Sequence, residues 1–237
     1  MRLHVCGDSH SAYCFDRFEN AVIKWLGPLT MHRAARDAEQ IIRPLLSDVE
    51  ADDIVVFILG EIDIRCHLIP VAERSGSSVD DEAAKLAHRY VSAISQIIGP
   101  SNAAVIVQPP YPADRRSNPE LPFIGSLQHR LDTHRALSKH LMLAADAAGL
   151  HYLPFPRKYA DARGGLCRKF SDDGVHIMPV EAAALARSLS SLLDMKIKFH
   201  HSPLDIIRRR WNYLFGGSLR RRGLPKARPM ALSPADC

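Results

Sequence analysis

The sequence predicts an α/β fold, a three-layer α/β/α sandwich built on a five-stranded parallel sheet. Two observations carry that prediction. Strand-like and helix-like segments alternate along the chain, the pattern of crossover-connected parallel sheets. The best strand segments are continuous runs of β-branched and aromatic residues, as expected of strands covered on both faces. With 237 residues, 46% of them hydrophobic and 24% charged, the chain can fill one domain, or one domain with an appendage.

Residues 2–6 read as the first strand and 21–26 as the second. Ala34, Ala38, Ile41, Ile42 and Leu45 recur at helical spacing with charged residues between them. Asp53 to Leu59 is a buried strand. A helix over about 80–98, with Ala83, Leu86, Tyr90, Ile94 and Ile97 on one stripe, stops at Gly99-Pro100. Ala103 to Val107 is the fourth strand. Leu127, Leu131, His134, Leu141, Ala145 and Ala148 mark a helix ending at Gly149. Leu150 to Leu153 is the last strand, and 180–194 the last helix, with Pro179 in its first turn.

In such sheets ligands sit beyond the carboxyl ends of the strands, and the chemically suggestive residues fall there. Ser9 follows strand one, Gly27 strand two, and Gly60 to Arg65 strand three. Pro109 to Pro122 follows strand four, and Asp173 and His176 come after strand five. A serine hydroxyl becomes a useful nucleophile when an imidazole takes its proton and a carboxylate fixes the tautomer of that imidazole. Three-residue spacing puts Asp173 and His176 on one loop or turn, and the fold must bring Ser9 to them. Asp173 has this spacing and its neighbour Asp172 does not. The bland alternative makes Ser9 a helix N-cap and Asp8 a turn former.

The chain resembles the SGNH (GDSL-type) hydrolase family. Gly7-Asp8-Ser9 is similar to its first motif and Asp173-x-x-His176 to its last, and the likeness runs from about residue 2 to 195. The resemblance implies a flavodoxin-like sheet, with Ser9 as nucleophile, His176 as base then acid, and Asp173 orienting His176. It also implies an oxyanion hole built from the serine N–H, a glycine and an asparagine. Gly27 is the candidate glycine. The family's Gly-x-Asn-Asp corresponds to Gly60-Glu61-Ile62-Asp63, so isoleucine stands where the asparagine donor belongs. Loss of one such donor typically costs about 10²–10³ in turnover. Arg65 is the nearest replacement, and pairing with Asp63 or Glu61 is its structural alternative.

The expected activity is that of an esterase or deacylase forming an acyl-enzyme on Ser9, with a small-molecule or glycan ester as substrate and no metal or nucleotide cofactor. Transfer of the acyl group to a sugar hydroxyl would use the same residues. Two rival readings fit the same residues. Ile62 motivates a binding module that has lost turnover. Asp8-Ser9-His10 also reads as the DxH opening of a metal-dependent phosphoesterase, although Gly60-Glu61-Ile62-Asp63 matches that pattern poorly. His10, His32 and His67 fall near the same edge and are expected to be structural or solvated. Arg115, Arg116, Arg157, Lys158, Arg168 and Lys169 lie on loops there, where ordinary solvated charge accounts for them.

The formal net charge is +5, but it is concentrated. Residues 204–237 hold eight Lys/Arg against Asp205 and Asp236, and the remainder carries 23 basic against 24 acidic residues. A neutral body argues against nucleic acid as partner. The expected division is a domain over 1–200 and a basic tail over 201–237. Ile207, Trp211, Leu214 and Phe215 share a face of an amphipathic helix in that tail, which either packs on the domain or meets a membrane surface or protein. The segment beyond Gly216 is expected to be disordered. Five cysteines without CxxC spacing, no export signal and no apolar run of roughly 20 residues point to a cytoplasmic protein.

Overall fold

Five strands form one parallel sheet in the order β2-β1-β3-β4-β5: β1 Leu3–Gly7, β2 Ala21–Trp25, β3 Ile54–Ile58, β4 Ala103–Val107 and β5 His151–Leu153. This flavodoxin-like order is the one expected. The structure, a computed structural model, describes residues 1–99, 102–114, 121–200 and 202–215. Gly7 pairs with Trp25 on one side and Ile58 on the other, Ile58 with Val107, and Val107 with Leu153. The carboxyl ends are therefore flush, and every loop leaving them starts at one level.

The two-residue period of the strands sends alternate side chains into two cores. Cys6, Val55, Phe57, Ala104 and Ile106 face the layer of α2 (Met31–Arg36), α3 (Ala38–Ile41), α5 (Val79–Ile97) and α6 (Leu127–Ala147). Val5, Val56, Ile58, Val105 and Val107 face α1 (Ser9–Phe15) and α7 (Ala183–Leu192). These three layers are the predicted sandwich. Ser78 and Asp81 start α5 with a reciprocal cap, each side chain accepting from the other's backbone N–H.

Some segments differ from expectation. The helical pattern over Ala34 to Leu45 is split into α2, α3 and a 3-10 turn at Arg43–Leu46. Asp37 leaves helical geometry between α2 and α3, and Pro44 lacks the N–H a continuing α-helix requires. The last helix starts later than predicted, because Pro179 opens a 3-10 turn at Pro179–Glu181 before α7. α1 and α4 (Leu68–Ser75) were not anticipated, nor was the π-helical turn Asp63–His67 that leads into α4. α8 (Pro203–Phe215) rests against the body through Arg17–Asp205 and Arg209–Asp172 contacts, both at 2.9 Å.

Candidate active site

Gly7 ends β1 pressed so tightly against β3 that a Cβ there would collide with the carbonyl of Ile58. The chain turns directly into α1. Asp8, rather than Ser9, is the N-cap: its Oδ1 accepts from the His10 N–H at 2.9 Å, and its carbonyl accepts from the Ser11 N–H at 3.0 Å and from the Ser11 hydroxyl at 2.7 Å. Ser9 is thus the first residue of the helix. Its own N–H sits where a helix supplies no acceptor, at the positive end of the backbone dipoles.

Across 167 residues of sequence, the Ser9 hydroxyl lies 2.6 Å from His176 Nε2. His176 Nδ1 faces Asp173 Oδ2 at 2.5 Å. An ionised carboxylate only accepts, so the proton belongs on Nδ1, which leaves Nε2 to accept from the Ser9 hydroxyl. The other oxygen, Asp173 Oδ1, takes the backbone N–H groups of Val175 (2.8 Å) and His176 (2.9 Å) and the Ser171 hydroxyl (3.2 Å). Burial works against the charged form of Asp173, yet the contacts with His176 and these N–H groups hold its carboxyl well below the usual range. Ser171 also accepts from the Gly174 N–H at 2.9 Å, which fixes the Asp-to-His turn.

A buried pair lies behind this chain. Asp8 Oδ1 accepts from His10 Nδ1 at 3.1 Å, and His10 Nε2 faces the Val175 carbonyl at 3.3 Å. Both ring nitrogens meet acceptors, which suits an imidazolium. Burial alone would push His10 down, but the Asp8 carboxylate, joined by Glu61 and the Val175 carbonyl, outweighs it and lifts His10 to about 8. The His10 ring lies 4.7 Å from that of His176, and the Tyr13 ring stacks on that of His176 with centroids 4.1 Å apart. Tyr13 and Ser171 were missed in the sequence. Tyr13 had a signal, since it stands four residues after Ser9 and so shares its helical face.

The other candidates divide by environment. Gly27 is buried just beyond β2 with φ 75°, and its carbonyl accepts from the Leu29 N–H. Gly60 follows β3 at φ 104°, where a Cβ would press on Met31 and Pro109 at 2.9 Å. Asp63 is buried with both oxygens engaged, accepting from the N–H groups of Met31 at 2.7 Å and His32 at 3.2 Å. It pins the start of α2 to the loop after β3, and burial raises its carboxyl to about 6 in spite of those donors. Arg65 is buried too, donating to Glu61 at 2.9 Å and to the Pro122 carbonyl at 2.7 Å. Its partners are thus Glu61 and the loop after β4, the structural alternative raised by the sequence. Ile62 stays partly exposed between them.

His32, His67, Arg157, Lys158, Arg168 and Lys169 are exposed, whereas Arg115 and Arg116 lie outside the described residues. Asp8 and His10, the pair suggested for metal binding, face one another. Among the described residues no group of three His, Cys, Asp or Glu side chains is placed to hold a metal ion.

Solved structures of low sequence identity follow this chain over most of its length. A GDSL-like lipase from Bacteroides thetaiotaomicron aligns with 81% of this chain and 85% of its own at a TM-score of 0.55 and 14% identity. The fold is SGNH-hydrolase-like. The aryl esterase of M. smegmatis aligns with 81% of this chain and 99% of its own, with a TM-score of 0.51 and 14% identity. At such identity the likeness concerns the fold alone. No family model matches the sequence, and neither does any curated protein.

Proposed function

We propose that the protein is a serine hydrolase that cleaves carboxylic esters through an acyl-enzyme on Ser9. The observation that carries this is the unbroken chain of contacts from the Ser9 hydroxyl to His176 Nε2 at 2.6 Å, and from His176 Nδ1 to Asp173 at 2.5 Å. Solved structures of the same fold include a lipase and an aryl esterase, which supports the same class.

In this mechanism Ser9 attacks the ester carbonyl carbon as its proton passes to His176 Nε2, and Asp173 stabilises the resulting imidazolium without taking the proton. The carbonyl oxygen becomes an oxyanion and is met by the Ser9 N–H at the first turn of α1. His176 then protonates the departing alcohol. Water, or a sugar hydroxyl in an acyl transfer, gives its proton to His176 and releases the acyl group from Ser9. Short acyl groups on small alcohols or carbohydrate are the first substrates to try. No cofactor takes part.

A serine-directed fluorophosphonate followed by peptide mass spectrometry tests the assignment. The expected result is one adduct, on Ser9, which disappears in His176→Ala protein. Labelling elsewhere, or none under conditions that preserve the fold, would reject it. The rival reading, a binding module without turnover, is favoured by Ile62 alone. Equal slow hydrolysis by native and Ser9→Ala protein would select that rival, whereas the proposed chemistry requires a loss on the order of 10³ or more.

A further inference from the structure

An amphipathic helix on a globular protein ordinarily turns its apolar stripe to the core. α8 does the reverse. Its polar side meets the body: Asp205 accepts from Arg17 at 2.9 Å, and Arg209, 8% exposed, donates to the Lys169 carbonyl at 2.8 Å and to Asp172 at 2.9 Å. Arg209 is also 3.6 Å from the buried Glu181. At 3.6 residues per turn, Leu204, Ile207, Trp211 and Leu214 fall within about 80° of one another, directly opposite Arg209. Their exposures are 74%, 61%, 65% and 69%. Four large, mostly exposed apolar side chains therefore share one side of the helix.

The charge beside this stripe indicates what covers it. The same wheel places the exposed Arg208 on one margin of the stripe, and on the other the exposed Arg210, whose Nε lies 3.8 Å from Glu181 of the body. The sequence beyond the helix adds Arg220, Arg221, Arg222, Lys226 and Arg228 before its next acid, Asp236. Large apolar side chains, one of them tryptophan, edged by arginines form a surface that inserts at headgroup level while its cations reach lipid phosphates. Among the described residues no helix is long and apolar enough to cross a membrane. A thirteen-residue helix is suited to lying in the plane of the interface.

We propose that α8 docks the protein on the surface of an anionic bilayer, with Leu204, Ile207, Trp211 and Leu214 among the outer acyl-chain segments and Arg208 at the phosphates. The hydrolase reading is not required for this, and Ser9→Ala protein should bind membranes as the native chain does.

Co-sedimentation of the full chain with phosphatidylcholine vesicles, with and without a third phosphatidylglycerol, is the test. Binding is expected on the anionic vesicles, with much less on the neutral ones and a decline as salt shortens the Debye length. The double substitution Ile207→Ser, Leu214→Ser should weaken binding tenfold or more, and Arg208→Gln about fivefold on anionic vesicles only. All these side chains are exposed, so circular dichroism and melting should be unchanged, and Arg89→Gln, an exposed arginine away from α8, should bind as native. Absence of binding to anionic vesicles would overturn the proposal, as would binding indifferent to the double substitution. Concentration-dependent dimerisation in the ultracentrifuge, abolished by that same double substitution, would assign the stripe to a second copy and likewise overturn it.

Discussion

The Tyr13 ring lies almost parallel to that of His176, with centroids 4.1 Å apart and planes 18° from one another. One helical turn therefore delivers both Ser9 and the wall against which His176 rests. Asp173 holds the imidazole by its edge and Tyr13 by its face, so the ring has little freedom to swing away from the serine. Precise placement of this kind is where much of a nucleophile–base pair's advantage originates.

Replacing Asp173 with Asn tests the edge contact. An amide nitrogen facing Nδ1 favours the tautomer with its proton on Nε2, which can no longer accept from Ser9. Turnover of a p-nitrophenyl ester should fall by about 10³–10⁴, with much smaller effects on KM. A loss under tenfold in a folded variant would remove Asp173 from the mechanism.

Restoring a donor at the rim tests the significance of Ile62. Ile62→Asn should raise kcat by about ten- to a hundredfold if that side chain reaches the oxyanion. Arg65→Met should show mainly as lost stability, because Arg65 is tied to Glu61 and to the Pro122 carbonyl. Steady-state kinetics beside thermal melts separates the two effects.

The Asp8–His10 pair predicts a pH dependence of stability. His10 stands at about 8 in the folded protein against an ordinary 6.5, so folding favours its protonated form. That contribution is complete below about pH 6.5 and is lost as pH rises through 8, amounting to about 2 kcal/mol. Urea unfolding of native protein should show the loss between these limits. His10→Gln should flatten that part of the curve.

Gly7→Ala should damage the fold and the site together. The added methyl would collide with the Ile58 carbonyl and crowd the Ile58 side chain at 3.1 Å, and backbone in a central strand yields poorly. A cost of about 1–3 kcal/mol implies a fall in Tm of roughly 3–10 °C. Calorimetry reads the first effect, and phosphonate labelling of Ser9 should slow in parallel.

Much of this molecule was legible before its structure. β4 was read to the residue because Ala103 to Val107 is an uninterrupted apolar run between turn formers, and α5 was clear from its single stripe and its Gly-Pro stop. Ser9, Asp173 and His176 were chosen from position along alternating elements together with family-like motifs, and the fold brings them into contact. α1 escaped because six of its seven residues are buried, which leaves no polar face to mark a helical period. α4 was hidden by Pro70 near its start, and the π-helical turn beside it has no sequence signature. Arg65 was ambiguous for a physical reason: a guanidinium near a strand end serves a substrate or a carboxylate equally well until Glu61 is seen at its side.

The grip of α8 on the body has a practical bearing. The predicted boundary at residues 200 and 201 crosses a bonded junction: Phe199 pairs with Phe18, while Arg209 and Arg210 lie 3.6 Å and 3.8 Å from Glu181, a carboxylate only 4% exposed. Trimming the chain at that point would strand Glu181 without its cations and release the Asp172 side of the segment that presents Asp173 and His176. A shortened protein with poor activity would then say nothing about lipid, because the cut itself loosens the catalytic turn.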